Sequence, residues 1–410
     1  MSARPSRGRS STRSRTEAGR SASRRPSPHA SPTVTTATTV PSHDTDWLIV
    51  GGGIVGAAIA WGLARAGQRA MLLDEGDDAF RAARGNFGLV WVQGKGFGHP
   101  AYARWTLEAA AAWPAFAAEL ADRTGVDVEL VRVGGMTMCL DDDELAARAG
   151  ALASIRDAVG IDYPFEVLDP GALRERVPQA GRDLAGAVFC PLDGHVSPLR
   201  LLRALLQAFV DAGGVLHTGT RIDRIEARGG GFVAHAAARA YGAGRIVLAA
   251  GLGNRSLAPM VGLRAPVVPN RGQVLISERV QPFLRYPTLH VRQTGDGGVQ
   301  IGDSKEDVGF DDGTTIDQLA RITARALRCF PLLAGVNIVR SWGALRVMSP
   351  DGLPIYEAST RCPGAFVASC HSGITLAAQH AGALVAWMRG GAAPAALAAF
   401  GSERFDVQAA

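Results

Sequence analysis

The sequence is almost without lysine. Only Lys95 and Lys305 occur among its 410 residues, and arginine carries the remaining positive charge. No uninterrupted apolar stretch is long enough to span a membrane, which favours a soluble protein. The five cysteines are odd in number and contain no CxxC pair, so they favour a reducing compartment over a disulfide framework or a zinc site. We therefore predict a cytoplasmic protein that holds no metal.

The positive net charge lies in the first 45 residues. Eight arginines against Glu17 and Asp44 give this segment a charge of +6, whereas the whole chain carries +5. The remainder is close to neutral and has no excess basic charge with which to bind nucleic acid or acidic lipid. The segment consists largely of Ser, Arg, Pro and Thr, which bury too little apolar surface to offset the entropy of ordering. We predict a disordered basic tail over residues 1–45.

A glycine-rich turn stands between two apolar strand patterns. An apolar run precedes Gly51, Gly53 and Gly56, and an amphipathic stretch and a second apolar run follow them up to Asp74 and Glu75. Strand, GxGxxG turn, helix, strand and acid form the fingerprint of a dinucleotide site. In such a site the first glycine makes the tight turn, the second admits the pyrophosphate, and the third lets the helix approach the strand.

Three later patterns predict helices. Residues 101–122 are rich in alanine and predict a helix that is broken or kinked at Pro114. Ser197 and Pro198 suit the first positions of a helix with a leucine-rich apolar face. A further helix is expected from about residue 374 to residue 388. A chain of 410 residues is also long enough for two domains.

The glycine turns are widely separated along the chain. A buried strand pattern ends in a second turn at Gly251, almost two hundred residues after the first, and a third turn comes at Gly373. This interleaving resembles the glycine/D-amino-acid oxidase family of FAD enzymes over residues 46–395, in particular its sarcosine oxidase and opine oxidase β-subunit members. The matching segments are GGGIVG (51–56), RGNFG (84–88), DGHVSP (193–198), VLAAG (247–251), PNRGQ (269–273), WGALRVMSPDGLPI (342–355) and CHSGIT (370–375).

The resemblance implies an α/β fold with two parts. One is a Rossmann-type FAD-binding domain built from discontinuous segments, and the other is an α+β substrate domain with a mixed or antiparallel sheet. We assign the FAD-binding domain to residues 46–100, 185–265 and 340–400. The substrate domain then takes residues 101–184 and 266–339.

The resemblance also implies which residues hold the nucleotide half of FAD. Asp74 would bind the adenosine ribose, with Glu75 as the alternative acid. The turn at Ala250 and Gly251 would approach the adenine and the pyrophosphate. The backbone of the first turn would meet the pyrophosphate at the start of a helix, through Gly51, Gly53, Ile54, Val55 and Gly56.

Two segments are expected beside the flavin half. The first contributes Asn86, Phe87 and Gly88, and the second contributes Ser372, Gly373, Ile374 and Thr375. A helix that begins at the second segment would direct its N–H groups towards N1 and the C2 carbonyl oxygen of the flavin, where the reduced flavin becomes anionic. For Ser372 and Thr375, capping of that helix is an alternative that is compatible with flavin contact.

Arg346 is the principal candidate for substrate binding. It corresponds to the family arginine that binds the substrate carboxylate, a task that suits the planar fork of a guanidinium. A surface ion pair is the alternative. His290 is a second catalytic candidate, although an ordinary strand histidine is as consistent with the sequence, and His371 and Gln293 are possible linings of the site. Asp351 is expected to order a turn.

Two departures from the sarcosine oxidases narrow the prediction. The position of their flavin-linking cysteine is Ala344, so FAD is expected to be non-covalent. Gln300 occupies the position of the lysine that assists oxygen reduction, which argues against fast reaction with oxygen. Lys95 could approach the site from its loop, with a solvated lysine as the alternative.

The segment around Lys95 looks most like the flavin β subunits of opine oxidases and D-hydroxyproline dehydrogenases. The resemblance implies an FAD-dependent oxidoreductase that oxidises the C–N bond of a D- or N-substituted amino acid to an imine by hydride transfer to flavin N5. It also implies electron-transfer partner subunits. A 2-hydroxy-acid dehydrogenase, or a flavin subunit of a multi-subunit or RNA-modifying complex, remains an alternative.

Overall fold

A computed structural model describes residues 43–76, 82–160, 162–237, 239–302 and 304–409. The predicted basic tail lies outside the described residues, except for its last three positions. Thr45, the last of these, is buried and begins the first strand rather than ending a tail. None of the described helices combines the length and the apolarity needed to cross a membrane.

The strands are numbered in chain order. They are β1 (Thr45–Val50), β2 (Ala70–Leu73), β3 (Leu89–Val90), β4 (Gly135–Cys139), β5 (Glu166–Leu168), β6 (Gly186–Cys190), β7 (Gly194–His195), β8 (Val215–His217), β9 (Arg224–Arg228), β10 (Gly231–Ala236), β11 (Arg239–Leu248), β12 (Val268–Arg279), β13 (Val291–Gln293), β14 (Gly298–Gly302), β15 (Ile338–Met348), β16 (Ile355–Ala358) and β17 (Ala365–Ser369).

The α-helices follow the same convention. They are α1 (Ile54–Arg65), α2 (Pro100–Thr124), α3 (Asp142–Val159), α4 (Pro170–Arg176), α5 (Pro198–Asp211), α6 (Asn254–Leu257), α7 (Ile316–Cys329), α8 (Ala377–Gln379) and α9 (Val385–Met388). A π-helical turn, His380–Leu384, joins the last two.

An eight-stranded sheet forms the larger layer. Its order is β16-β17-β11-β1-β2-β8, and β10 and β9 extend it from the other half of β11. The strands β17, β11, β1, β2 and β8 are parallel, and the apolar strands β17, β1 and β2 are buried along almost their whole length. Because β1 lies between β2 and β11, the chain leaves it in one direction and later returns on its other side. Such a switch point opens a crevice at the carboxyl ends of the strands.

Helices α1, α2 and α5 cover one face of this sheet. Their core contains the fully buried side chains of Trp61, Trp105, Trp113 and Phe209. Helix α2 continues through Pro114, so of the two predicted outcomes, a break or a kink, the break is wrong, and the helix ends where Gly125 adopts a left-handed conformation. Packing of the large aromatic rings on both sides of the proline holds this helix together.

A four-stranded antiparallel sheet forms the second layer, in the order β13-β14-β12-β15. A three-stranded sheet, β4-β6-β5, shares an apolar core with it and with α7. In that core Met136 and Leu168 of the smaller sheet meet Leu275, Ile301 and other residues of the larger one. The second region is therefore α+β with antiparallel sheets, as the resemblance implied.

The elements do not follow the predicted domain boundaries in three places. Helix α2, assigned to the substrate domain, packs with α1 and α5. Strand β6, assigned to the FAD-binding domain, pairs with β4 and β5. Strand β15 straddles the boundary at residue 340 and belongs to the four-stranded sheet. Residues 41–410 group as one compact unit, so the boundaries divide pairings that local composition does not reveal.

One helix starts where it was predicted and one does not. Helix α5 has Ser197 at its N-cap position and Pro198 as its first residue, as expected. Ser197 makes no side-chain capping bond to α5, and Leu199 at its start is 58% exposed rather than part of the apolar face. The last helix begins at Ala377, not at residue 374, because residues 373–376 form a turn. That turn contributes to the site described next.

Candidate functional site

Two cavities meet at the carboxyl ends of the parallel strands. The strand-end cavity lies against the ends of β1, β2, β11 and β17 and the start of α1. It is lined by the predicted residues Gly51, Gly53, Ile54, Val55, Asp74, Glu75, Asn86, Ala250, Gly251, Gly373 and Ile374. The inner cavity lies between β12, β15 and the loop after β3, and it is lined by the predicted residues Asn86, Phe87, His290, Arg346, Ser372, Ile374 and Thr375. The two cavities share Ala82, Asn86, His371 and Ile374.

The three glycines of the first turn differ in their surroundings. Gly51 has a φ of +105°, and a Cβ added there would lie 2.5 Å from the carbonyl oxygen of Ala249. A Cβ at Gly53 would meet nothing within 4 Å, because this position faces the cavity. A Cβ at Gly56 would lie 1.8 Å from the carbonyl oxygen of Gly51, so the helix approaches the turn closely. This geometry leaves room at the N-terminus of α1 for an anionic group.

Asp74 closes the turn from the end of β2. Its Oδ2 accepts a hydrogen bond of 2.6 Å from the Gly52 amide, and its Oδ1 accepts one of 2.9 Å from the Gly76 amide. The side chain is buried, whereas Glu75 is exposed. Of the two predicted acids, Asp74 is the one that the fold fixes in the cavity wall.

Asn254, which sequence reasoning missed, holds the second turn. Its Oδ1 accepts a hydrogen bond of 2.9 Å from the Ala250 amide, while its Nδ2 donates to the Leu248 carbonyl oxygen at 3.1 Å and to the Ser369 hydroxyl at 2.8 Å. The side chain is fully buried. It therefore ties the ends of β11 and β17 together beside the strand-end cavity. The GLGN run after the VLAAG motif was the available signal.

The segment around Asn86 is a tight turn. The Asn86 Oδ1 accepts a hydrogen bond of 2.7 Å from the Gly88 amide, and Gly88 has a φ of +88°. A Cβ on Gly88 would lie 2.5 Å from the carbonyl oxygen of Val196. Gly56 and Gly88 thus line neither cavity but shape the walls from behind.

Ser372 and Thr375 do not cap the helix that follows. The Thr375 Oγ1 accepts from the Trp91 amide at 3.1 Å, and the Ser372 Oγ accepts from the Tyr102 hydroxyl at 2.8 Å. Both side chains line the inner cavity and tie the turn to the loop after β3 and to α2. The capping alternative is therefore wrong, because the turn at residues 373–376 separates these residues from α8.

Asp193, within the DGHVSP motif, holds the loop that carries Lys95. The fully buried carboxylate accepts from the Val92 amide and, at 2.7 Å, from the side-chain Nε2 of Gln93. Burial raises its pKa to about 7, although these hydrogen bonds oppose the shift. The Gln93 Oε1 in turn accepts from Thr137 at 3.0 Å. Sequence reasoning found the motif but not this role.

Arg346 projects from β15 into the inner cavity. Its Nη1 donates to Asn270 Oδ1 at 2.9 Å and to the Arg271 carbonyl oxygen at 3.1 Å, and its Nη2 donates to the Ser304 carbonyl oxygen at 2.8 Å. These three acceptors orient the guanidinium at the wall of the cavity. The side chain is half-buried rather than on the open surface.

Of the other residues considered for the site, some line the inner cavity and some do not. His290 lines the inner cavity, whereas Gln293 does not: its buried amide bonds to the backbone of Val280 and Phe283. Ala344 lines the inner cavity, and Gln300 lines neither cavity.

Lys95 is not a solvated loop lysine, as the alternative proposed. Its Nζ lies 3.4 Å from Nε2 of His371, and it lines the inner cavity. The pKa of His371 is held well below its usual range, first by the charge of Lys95, then by burial and by the charges of Arg346 and Lys305. The glycines on both sides of Lys95 gave a weak signal, since they permit a loop that folds back.

The described residues hold no cluster of three or more His, Cys, Asp or Glu side chains that could bind a metal ion. The strand-end cavity instead fits the nucleotide half of FAD, because a phosphate could approach the start of α1 at the position that a Cβ on Gly53 would fill. The inner cavity continues from it past His371 and fits a flavin ring and a small substrate. Ala344 places no thiol there.

Comparisons with known proteins bear on the family and the cofactor. A family model described as DAO, FAD dependent oxidoreductase, matches residues 46–387. The chain is 43% identical over 369 residues to an opine oxidase subunit of Agrobacterium tumefaciens (strain Ach5), and the alignment covers 90% of this chain and all of the relative. The corresponding protein of Rhizobium meliloti is 42% identical over the same length.

A solved structure gives the same result. The crystal structure of glycine oxidase from Geobacillus kaustophilus superposes with a TM-score of 0.82 at 27% identity, covering 88% of this chain and 98% of that one. These similarities confirm the predicted α/β fold, the FAD cofactor and the FAD-dependent oxidoreductase class. The chain belongs to the DAO family of FAD dependent oxidoreductases.

Proposed function

We propose that this protein oxidises the C–N bond of a secondary or D-configured amino acid to an imine as the flavin subunit of a larger enzyme. The observation that carries the proposal is the inner cavity. It adjoins the strand-end cavity at Asn86 and His371, and Arg346, Lys95 and Lys305 all line it. Cationic side chains beside the flavin position suit a substrate that carries a carboxylate, such as an amino acid.

Arg346 would bind the substrate carboxylate. Its guanidinium is already oriented by Asn270 and two backbone carbonyl groups, so little side-chain entropy is lost when a carboxylate joins it. Fixing the carboxylate fixes the neighbouring Cα–H, which is a positioning effect. Bound FAD would supply the hydride acceptor. His290, which lines the same cavity, would contact the substrate from the other side.

The cofactor-holding residues follow from the same geometry. The eight-stranded sheet would hold FAD, with the first glycine turn at the pyrophosphate, Asp74 at the ribose and the turn at Ala250 and Gly251 near the adenine. The flavin would lie between the segment 86–88 and the segment 372–375. The four-stranded sheet would supply most of the substrate contacts. Because Ala344 carries no thiol, the cofactor would be held without a covalent bond there.

Two observations support an electron-accepting partner. The relative from Agrobacterium is named as a subunit, and this chain covers all of it. Gln300 stands where the oxygen-reactive enzymes carry a lysine, which favours electron transfer to a partner over direct reaction with oxygen. The five cysteines are free thiols, which supports a cytoplasmic location.

Anaerobic bleaching of the bound flavin tests the proposal. The purified holoprotein would be mixed with D-amino acids, N-alkyl amino acids, opines and 2-hydroxy acids, and its visible absorbance would be followed without oxygen. Bleaching by a secondary or D-amino acid, and not by the hydroxy acid of the same carbon skeleton, is the expected result. Bleaching by hydroxy acids alone would replace amine oxidation with alcohol oxidation, and a colourless protein would remove the flavin itself.

A further inference from the structure

The positive charge of the inner cavity is concentrated in one place. The chain has only two lysines, and both line this cavity together with Arg346 and Arg148. Lys95 comes from the loop after β3, Lys305 follows β14, and Arg346 comes from β15. Separate parts of the chain therefore bring cations to one space, which random placement of two lysines among 410 residues does not explain.

Hydrogen bonds fix the position of the Lys95 ammonium group in the inner cavity. Its ammonium group can only donate, so Nε2 of His371, at 3.4 Å, accepts from it. The proton of the neutral imidazole is then on Nδ1, which faces the Ser372 hydroxyl at 3.1 Å. Ser372 also accepts from the buried hydroxyl of Tyr102 at 2.8 Å. Lys95 is thus anchored through His371 to the turn between the two cavities.

His371 reports the electrical field at that point. Three cations, Lys95, Arg346 and Lys305, act together with burial to keep its imidazole uncharged. Two described carboxyl groups also line the cavity: Asp307 accepts from Asn270, which lines the same cavity, and Asp351 pairs with Arg404. Among the described residues, the other titratable or charged side chains that line the cavity are His99, Tyr102, Arg148 and His290.

We propose that Lys95, with Arg346 and Lys305 as its supporting charges, makes the inner cavity accept the nitrogen of the substrate as the neutral amine rather than as the ammonium ion. A positive field that disfavours an imidazolium disfavours an ammonium in the same space for the same reason. This role rests on the proposed oxidation of an amine and assigns Lys95 a part in that reaction.

The chemistry requires this selection. When the Cα–H bond breaks and its electron pair leaves as hydride, the nitrogen lone pair forms the C=N bond, and an ammonium nitrogen has no lone pair to give. The substrate must therefore release one proton to solvent on binding. A cluster of cations favours that release without any side chain having to accept the proton.

The first test measures anaerobic flavin reduction by a bleaching substrate between pH 6 and pH 10. Removing the charge in Lys95→Gln should move the acidic limb of the rate profile upward by about one pH unit or more, since a nearby charge shifts a pKa by that amount. Lys95→Arg should keep the limb in place. Arg239→Gln removes one charge from an exposed site that lines neither cavity and should change nothing.

The second test needs no substrate, so it remains valid if the proposed reaction is wrong. The His371 imidazole would be titrated by NMR in the holoprotein with labelled histidine, with His371→Gln to assign the signal. In the wild type it should stay uncharged down to acidic pH, and in Lys95→Gln its titration should move upward. Lys305→Gln, at an exposed position, should move it in the same direction by less and does not depend on the folding of the Lys95 variant.

The proposal would be overturned if, in Lys95→Gln, neither the acidic limb of the rate profile nor the titration of His371 moved. A Lys95→Arg variant that behaves like Lys95→Gln would overturn it as well, because a structural role of the lysine, not its charge, would then explain both results.

Discussion

The two cavities are built in different ways. The walls of the strand-end cavity are mainly backbone: strand ends, glycines at which a Cβ would collide, and the polar side chains of Asp74 and Asn254, which bond to that backbone. The inner cavity depends on long charged side chains that arrive from separate loops and strands, Lys95 and Arg346 among them. The backbone wall of the strand-end cavity suits one ligand, whose shape is fixed. The substrate that the inner cavity accepts depends on a few side chains.

The largest expected effect is on the backbone-built wall. In Gly56→Ala the new methyl group would lie 1.8 Å from the Gly51 carbonyl oxygen, so α1 and the turn must separate. Overpacking of about 3 kcal/mol should weaken flavin retention roughly a hundredfold. The measurement is the flavin absorbance per chain after gel filtration.

Gly62→Ala is the matched control for that variant. It is the same change in the same helix and collides with the Ala381 carbonyl oxygen at 2.3 Å, away from both cavities. It should lower the thermal unfolding midpoint but leave the flavin content unchanged. Equal flavin loss in both variants would show that α1 as a whole, not the turn, retains the cofactor.

The next effect should be confined to the inner cavity. Arg346→Ala removes the charge-assisted hydrogen bonds to the substrate carboxylate, and the loss of about 2 kcal/mol should lower kcat/KM roughly thirtyfold while flavin content stays constant. The kcat/KM of Arg346→Lys should lie between those of the wild type and Arg346→Ala. Stopped-flow reduction with and without saturating substrate measures the effect, and an unchanged substrate affinity would remove the role assigned to this arginine.

A smaller effect distinguishes the two acids at the end of β2. Asp74→Ala should weaken flavin binding roughly tenfold, because it deprives the Gly52 and Gly76 amides of their acceptor and removes a ribose ligand. Glu75→Ala, at an exposed position, should change the affinity little. Titration of the apoprotein with FAD, followed by fluorescence quenching, compares them. The reverse order would make Glu75 the ribose ligand.

The last effect is expected on stability rather than on either cavity, as a slope of the free energy of unfolding with pH. The Asp193 carboxyl has a pKa raised to about 7 in the folded protein against about 4 in the unfolded chain, so between these values only the folded state holds the proton. The free energy of unfolding should therefore fall as the pH rises from about 4 to about 7. Asp193→Asn should remove this part of the slope, as measured by urea unfolding at several pH values.

Asp351 provides a control of opposite sign. Burial works to raise its pKa, but hydrogen bonds from Arg404 and from the Leu353 amide outweigh burial and lower it. Its contribution to stability is present above the unfolded pKa and is lost as the pH falls through the folded one. Asp351→Asn should therefore remove stability at neutral pH but not at acidic pH. The same pH response in both variants would contradict the assignment for Asp193.

The backbone-built cavity could be predicted because its signals are local. A turn such as that at Gly51 is specified by a few neighbouring residues, and the resemblance supplied the order of the remaining segments. The contact of Lys95 with His371 joins positions 276 residues apart, and no periodicity marks it. Gln293 and the capping interpretation of Ser372 failed for the same reason: polar side chains in a strand or turn have several partners within reach, and tertiary packing chooses among them.

The wall shared at Asn86, His371 and Ile374 would set an order of assembly if FAD binds as proposed. Bound FAD would complete one face of the inner cavity, so the substrate would rest against the cofactor rather than against protein. FAD would then have to bind first, and the substrate would exchange during turnover while FAD stays bound. A chain that has never been loaded should therefore retain substrate poorly, even with every cationic side chain in place.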